Sequence, residues 1–171
     1  MLISSEESLQ IQGLGQSRGG FSTKIHILCE GAGKPITVTV TPGQQHESTQ
    51  VGSLLDAVAI GGKPGPKRTR FDAIAGDKAY DSQAIREDLC QRRTQPVIAH
   101  RKNRQGEYPQ EAEGFDKELY RQRNVVERLI GRIKENRRIA TRYEKHADSY
   151  EAMIVLAFIR IWLKNLLSYT A

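Results

Sequence analysis

The chain has 171 residues, 38% of them apolar and 27% charged, a composition that fits a folded domain with its own core and excludes a disordered chain. Twenty-six Lys and Arg against 20 Asp and Glu leave a formal charge of +6, which favours polyanionic partners, nucleic acid first. Two lone cysteines, Cys29 and Cys90, match no metal or redox spacing; they exclude a disulfide scaffold and point to a reducing compartment.

From the N-terminus, Met1 to Gln12 carries Glu6 and Glu7 and lacks the basic and apolar regions of a secretory signal. Gln12 to Gly20 is glycine-rich and polar and predicts a loop. Ser22 to Cys29 alternates, as do Ile36, Val38 and Val40 among threonines, and the turn Gly31-Ala32-Gly33-Lys34 joins them as a hairpin. Ser48 to Ile60 predicts a helix, with Val51, Leu54, Leu55 and Val58 on one face. Gly61 to Arg70 is a Gly/Pro/Lys linker. Phe71 to Ala75 predicts a short buried strand with Asp77 just past its end, and Asp81 or Ser82 caps a helix running to about Arg93. Pro96 to Ala99 predicts another strand and Arg101 to Glu113 a polar loop. A long helix is expected from about Asp116 to Thr141. A last helix, capped by Asp148 or Ser149, ends near Leu167. Its apolar stretch, Ala152 to Leu167, contains Arg160 and Lys164, each costing about 2.5–3.5 kcal/mol at a bilayer centre. It therefore reads as a buried helix and not as a membrane span.

The charge is concentrated. Residues 61–145 hold 21 basic and 13 acidic residues, whereas residues 1–60 hold 3 and 5. Arg101–Lys102–Arg104, Arg137–Arg138 and Arg142 mark this middle segment as the partner surface, although cations also solvate ordinary helices. At about 100° per residue, Tyr120, Arg123, Glu127 and Lys134 fall within one stripe roughly 60° wide on the expected long helix, opposite Val125, Val126, Leu129 and Ile133. An ordinary amphipathic helix with an Arg–Glu pair has the same pattern. Asp77, at the carboxyl end of a predicted buried strand, occupies the place where open α/β sheets present their sites. A strand-end Asp and a helix-borne Glu are the oxygen donors that hold Mg²⁺ beside phosphate.

Three stretches carry a family resemblance. They are Gly15-Gln16-Ser17-Arg18-Gly19-Gly20-Phe21-Ser22-Thr23-Lys24-Ile25-His26, Gly76-Asp77-Lys78-Ala79-Tyr80-Asp81-Ser82, and Tyr120-x2-Arg123-x3-Glu127-x6-Lys134. The chain resembles bacterial insertion-sequence transposases of the DDE type, the IS-five group of the IS-four superfamily, from about Gly13 to Leu167. The resemblance implies an α/β ribonuclease-H-like mixed sheet with flanking helices. It also implies DNA strand cleavage and transfer at insertion-sequence ends by two-metal phosphoryl transfer, with two Mg²⁺ or Mn²⁺ ions. Asp77 and Glu127 would be the catalytic, metal-binding carboxylates. Tyr120, Arg123 and Lys134 would contact DNA or its phosphates. DNA ends and target are the implied partners, without a membrane, in the bacterial cytoplasm at the nucleoid.

The family's first catalytic Asp lies on a strand before the Gly15 segment. No Asp precedes Asp56 here, and Asp56 falls in a predicted helix. Glu6 and Glu7 lack a surrounding strand pattern. Residues 1–14 are therefore expected to be a poorly ordered remnant and 15–171 a truncated catalytic domain lacking its first, central strand. Leu9 to Leu14, or a partner chain, would pair in that strand's place. The site would be completed by a homo-oligomer or by an upstream chain supplying the first Asp. Three functions remain open: a transposase inactive as this chain alone, a non-catalytic DNA-binding or regulatory fragment, and a fragment with no independent function. His46 has a possible place near the site or a plain loop role. His26, His100 and His146 show no metal spacing, and Trp162 and Phe158 read as core.

Overall fold

The computed structural model describes residues 11–17, 19–61, 66–102 and 115–168, the last without its side chain. The expected loop residues 103–114, including Arg104, lie outside the described residues, as do Glu6, Glu7 and part of the 61–70 linker. The architecture is mixed α/β, as expected, and divides into two compact units, 1–46 with 125–171 and 47–124.

The first unit is built on an antiparallel meander of β1 (Gly15–Ser17), β2 (Gly20–Cys29) and β3 (Pro35–Pro42). β1 occupies residues expected as loop. Its hairpin closes through Ser17 opposite Gly20, and Gly20 adopts φ +106°, a conformation open to glycine. Gly15 is also required, because a Cβ there would lie 2.8 Å from the Pro42 Cβ and closer still to the Gln44 amide. β2 and β3 pair with Ile25 opposite Val40 and Ile27 opposite Val38, so these four side chains share one face.

Three helices pack around that face: α4 (Val125–Lys134), α5 (Arg137–Thr141) and α6 (Ala147–Ser168). Leu129, Ile133, Ile139, Tyr150, Ile154, Phe158 and Ile161 are buried with Val38, and Ile25, Ile27, Cys29 and Val40 pack against them. Cys29 is thereby pushed up to about 11, by burial first and by the Glu30 charge second, and is an inert thiol. The opposite face of β2 is also covered at His26, which is buried and shares a 2.7 Å hydrogen bond with the Thr41 hydroxyl. The corner between α5 and α6 is held by Arg142, whose φ is +49°. Its guanidinium donates to the carbonyls of Gln12, Gly13 and Glu144 and stacks 5.0 Å from the centre of the Tyr150 ring. Tyr150 in turn donates to the Ile139 carbonyl at 2.8 Å.

The second unit contains the short helix α1 (Val51–Asp56), the strand β4 (Ala73–Gly76), the helix α2 (Gln83–Gln91), the strand β5 (Gln95–Ile98) and the helix α3 (Lys117–Gln122). β4 and β5 are parallel, with Ala73 opposite Gln95 and Gly76 opposite Ile98, and α2 is the crossover between them. Consecutive Val97 and Ile98 are both buried, so both faces of β5 are covered. The carboxyl ends of the two strands are joined by a charged knot. Asp81 accepts from Arg86 at 2.7 Å and from the Arg101 backbone N–H at 2.6 Å, with His100 Nδ1 at 3.3 Å. Arg86 also donates to the Ile98 carbonyl at 2.7 Å. Arg101 donates through its side chain to the Lys78 and Ala79 carbonyls at 2.6 and 2.5 Å.

The antiparallel meander and the parallel pair form separate sheets, and no strand among the described residues pairs with both. The mixed α/β architecture is compatible with a ribonuclease-H-like fold. Residues 11–14 form no strand.

Several elements depart from the sequence expectation. The helix over 48–60 shortens to a 3-10 turn (Glu47–Gln50) and six α-helical residues. The long helix over 116–141 is interrupted twice. At Arg123 the backbone N–H turns to the Tyr120 carbonyl, a three-residue step. At Asn136 the side chain accepts from the Arg138 N–H and caps α5 anew. α6 is buried along one face only: Leu156, Ile159, Leu163, Leu166 and Leu167 are exposed, as is Trp162, although its Nε1 donates to the Pro35 carbonyl. Among the described residues no helix is long and apolar enough to cross a membrane.

Two outcomes follow from this packing. Ile154 is fully buried in the first unit's core, so Ile154→Ala should cost about 2–5 kcal/mol in urea unfolding, and a loss below 1 kcal/mol would contradict the assigned core. At Asp81, burial alone would raise the carboxyl pKa; the Arg101 N–H, the Arg86 hydrogen bonds and charge, and the His100 charge outweigh it and hold the group below the ordinary Asp value. Its stabilisation is therefore complete above the unfolded value of about 3.9 and is lost as pH falls through the lower folded value. Between about pH 6 and pH 3 the wild type should lose more stability than Asp81→Asn; parallel pH profiles would refute the role of the knot.

Candidate active site

Asp77 follows β4 directly, at the carboxyl end of the parallel pair. It caps the 3-10 turn Lys78–Tyr80: Oδ1 accepts the Lys78 N–H at 2.6 Å, and the Asp77 carbonyl accepts the Tyr80 N–H at 2.9 Å. The side chain is exposed. The turn that presents it is held from below by Arg101, through the Lys78 and Ala79 carbonyls. Within the same turn, burial raises the Tyr80 hydroxyl pKa, with the Glu47 and Asp77 charges adding to it. Tyr80 is thus neutral and not a base at physiological pH.

Tyr120 and Arg123 lie together at the end of α3. The Arg123 guanidinium sits 4.3 Å from the Tyr120 ring centre and donates to the Tyr120 carbonyl at 3.3 Å. Phe115 packs on the same ring, 5.4 Å between centres. Glu127 and Lys134 follow on α4, both exposed, with Leu129 and Ile133 buried on the other side. Seven residues apart, they share one helical face to within about 20°.

The single four-residue stripe expected on one helix is therefore divided. The turn at Arg123–Asn124 leaves Tyr120 and Arg123 on α3 and Glu127 and Lys134 on α4. Asp77, Tyr120 and Arg123 belong to the second unit, Glu127 and Lys134 to the first. Among the described residues no three His, Cys, Asp or Glu side chains gather as a metal cluster. The donors themselves suit a hard cation: Glu127 engages no described side chain, and Asp77 has one hydrogen bond, from the Lys78 N–H.

Sequence reasoning missed the knot of Asp81, Arg86 and Arg101. The Asp81–Arg86 spacing of five is not a helix-face spacing, and Arg101 stood in a run of cations that resembled a nucleic-acid patch. Arg101 and Arg142 are spent on backbone carbonyls, and Arg138 pairs with Glu144 at 2.8 Å. The side chains of Arg128, Arg132, Lys134 and Arg137 are exposed and engage no described residue. His46 is exposed beyond β3.

The Transposase DDE domain family matches residues 6–162. The chain is 31% identical over 135 residues to a putative transposase for insertion sequence element IS402 from Burkholderia cepacia, a match covering 78% of this chain and 59% of that protein. It is 26% identical over 143 residues to a putative transposase for insertion sequence element IS6501 from Brucella ovis, covering 84% of this chain and 99% of that protein. The chain thus spans less than two thirds of the first relative and nearly all of the second. No solved structure matches. With an acidic residue at the carboxyl edge of a parallel strand pair, a glutamate on an exposed helix face and a family match over most of its length, the chain belongs to the Transposase DDE domain family.

Proposed function

We propose that the chain is the C-terminal portion of a DDE transposase catalytic domain of the IS-five group, acting on DNA at insertion-sequence ends and target. Asp77 carries this reading, because it stands at the carboxyl edge of a parallel strand pair on a turn held from both sides. Asp77 and Glu127 would hold the divalent ions, Mg²⁺ or Mn²⁺. When bound, such ions activate the attacking oxygen and stabilise the leaving one. Lys134 would hold a phosphate, and the Arg123–Tyr120 stack would bring a fixed guanidinium to the DNA backbone. The segment 15–171 would be the catalytic portion and 1–14 a remnant.

The 171 residues offer no Asp before Asp56, which is exposed on α1 and pairs with Arg92. We therefore assign the first carboxylate to a polypeptide segment outside these 171 residues, and cleavage to that assembly at the bacterial nucleoid. The second reading, a DNA-binding or regulatory chain that does not cut, is favoured by the exposed cations Arg128, Arg132, Lys134 and Arg137, which engage no described residue.

Incubating the chain alone with supercoiled plasmid and Mn²⁺ tests the DNA partner and whether these residues suffice for cleavage. The expected outcome is binding without nicking, with affinity falling steeply as salt rises. Nicking that Glu127→Gln and Asp77→Asn each abolish, while binding persists, would show that the chain completes its own site. Absence of DNA binding would overturn the transposase reading for this chain.

A further inference from the structure

The ten-residue helix α4 carries one glycine, Gly131, in its interior. Glycine is the poorest helix former after proline, because its backbone has the most freedom to lose. Gly20 has a positive φ, and Gly15 has neighbours where a Cβ would stand, whereas Gly52 in α1, like Gly131, is open on both counts but has no cation within one turn of it. Gly131 has neither feature. It is exposed, its φ is not positive, and a Cβ built there meets nothing within 4 Å. Nothing within the first unit requires a bare backbone at this point.

The surroundings of Gly131 point outward. One turn before it stand Glu127 and Arg128, and one turn after it Lys134 and Glu135, all exposed. Arg132 follows it on the same helix, and Arg137 opens the next. The cations of this face engage no described side chain. Within one turn of Gly131 the cations Arg128 and Lys134 stand with the carboxylates Glu127 and Glu135, and the two cations, neither engaging a described residue, complement a phosphodiester, whose width needs clearance that long side chains deny.

We propose that Gly131 is a clearance position on a nucleic-acid-binding face of α4, letting a DNA phosphate approach the helix backbone between Arg128 and Lys134. The inference rests on the proposed DNA partner and adds a residue that is neither a metal ligand nor a charged contact. It has an unusual signature, because stability and binding should move in opposite directions.

The test uses the full chain, a labelled random-sequence DNA duplex, and thermal unfolding of the same samples. Gly131→Ala should raise Tm by about 2–4 °C. It should also weaken DNA affinity roughly tenfold and reduce the slope of log affinity against log salt by about one. Gly131→Gln should weaken binding further. Gly52→Ala, at a helical glycine of the second unit with equal room for a Cβ, should leave affinity unchanged. Unaltered affinity in both Gly131 variants would overturn the inference. So would a fall in both Tm and affinity for Gly131→Ala, since the glycine would then serve the fold. A wild type that binds no DNA would overturn the transposase reading itself, and this clearance role with it.

Discussion

Parallel pairing of β4 with β5 is the constraint from which the candidate site follows. Two parallel strands cannot be joined by a tight turn, so the chain must return along the sheet, and α2 is that return. The crossover leaves both carboxyl ends on one edge. Asp77 leaves that edge from β4, and His100 and Arg101 leave it from β5. Backbone carbonyls and charged side chains are therefore crowded together, and the molecule resolves the crowding with one carboxylate and two guanidiniums. Asp81 takes Arg86 and the Arg101 N–H, and Arg86 and Arg101 take the carbonyls of Ile98, Lys78 and Ala79. The Asp81–Arg86 pair has side chains only 15% exposed on each side. Such a pair is held because every partner is in place, and removing one would strand a charge in partial burial. The exposed Asp77 carboxylate thus stands on a turn whose own polar groups are already engaged.

The first unit obeys a different rule. Its antiparallel hairpin needs no crossover, and its helices meet one face of the sheet through Ile25, Ile27, Val38 and Val40. α4 is fixed by Leu129 and Ile133, and fixing that face commits Glu127 and Lys134 to the surface. Orientation of the candidate side chains is thus a by-product of core packing. Arg142 extends the same logic to the N-terminal segment, which it reaches through the carbonyls of Gln12 and Gly13.

Much of the fold was legible where periodicity is strong. The β2–β3 hairpin, the β4 and β5 strands, α2 and the buried face of α4 stand close to where alternation and helical spacing place them. The misses share a cause: local chemistry overrode a smooth pattern. Gly15 to Ser17 looked like a loop because its residues are small and polar, yet backbone pairing across Gly20 suffices for a strand. The expected helix over 116–141 kept its apolar period through Asn136, but an asparagine side chain can satisfy the Arg138 N–H and restart the helix. α6 reads as buried all round from composition, yet sequence cannot show that only one side of it finds neighbours. At the candidate site, residue types and spacings were legible in Asp77, Glu127 and Lys134. The turn between Arg123 and Val125, which divides the signature between two helices, was not.

Net charge alone names no residue that meets a partner. A count of +6 cannot distinguish a guanidinium that closes a backbone turn from one that waits for a ligand. Geometry makes that distinction: Arg86, Arg101 and Arg142 satisfy carbonyls that would otherwise be left without donors, so their charge is committed to the fold. Arg128, Arg132, Lys134 and Arg137 have no such task, and they lie on two consecutive helices around Glu127. A face of cations alone would bind any phosphate backbone equally; the exposed carboxylates Glu127 and Glu135 weaken that attraction and are a liability for simple adhesion. A carboxylate there is understandable if the face must hold a cation of its own as well as a phosphate. Under the proposed reading that requirement is metal-assisted phosphoryl transfer, and Glu127 would meet it on this helix.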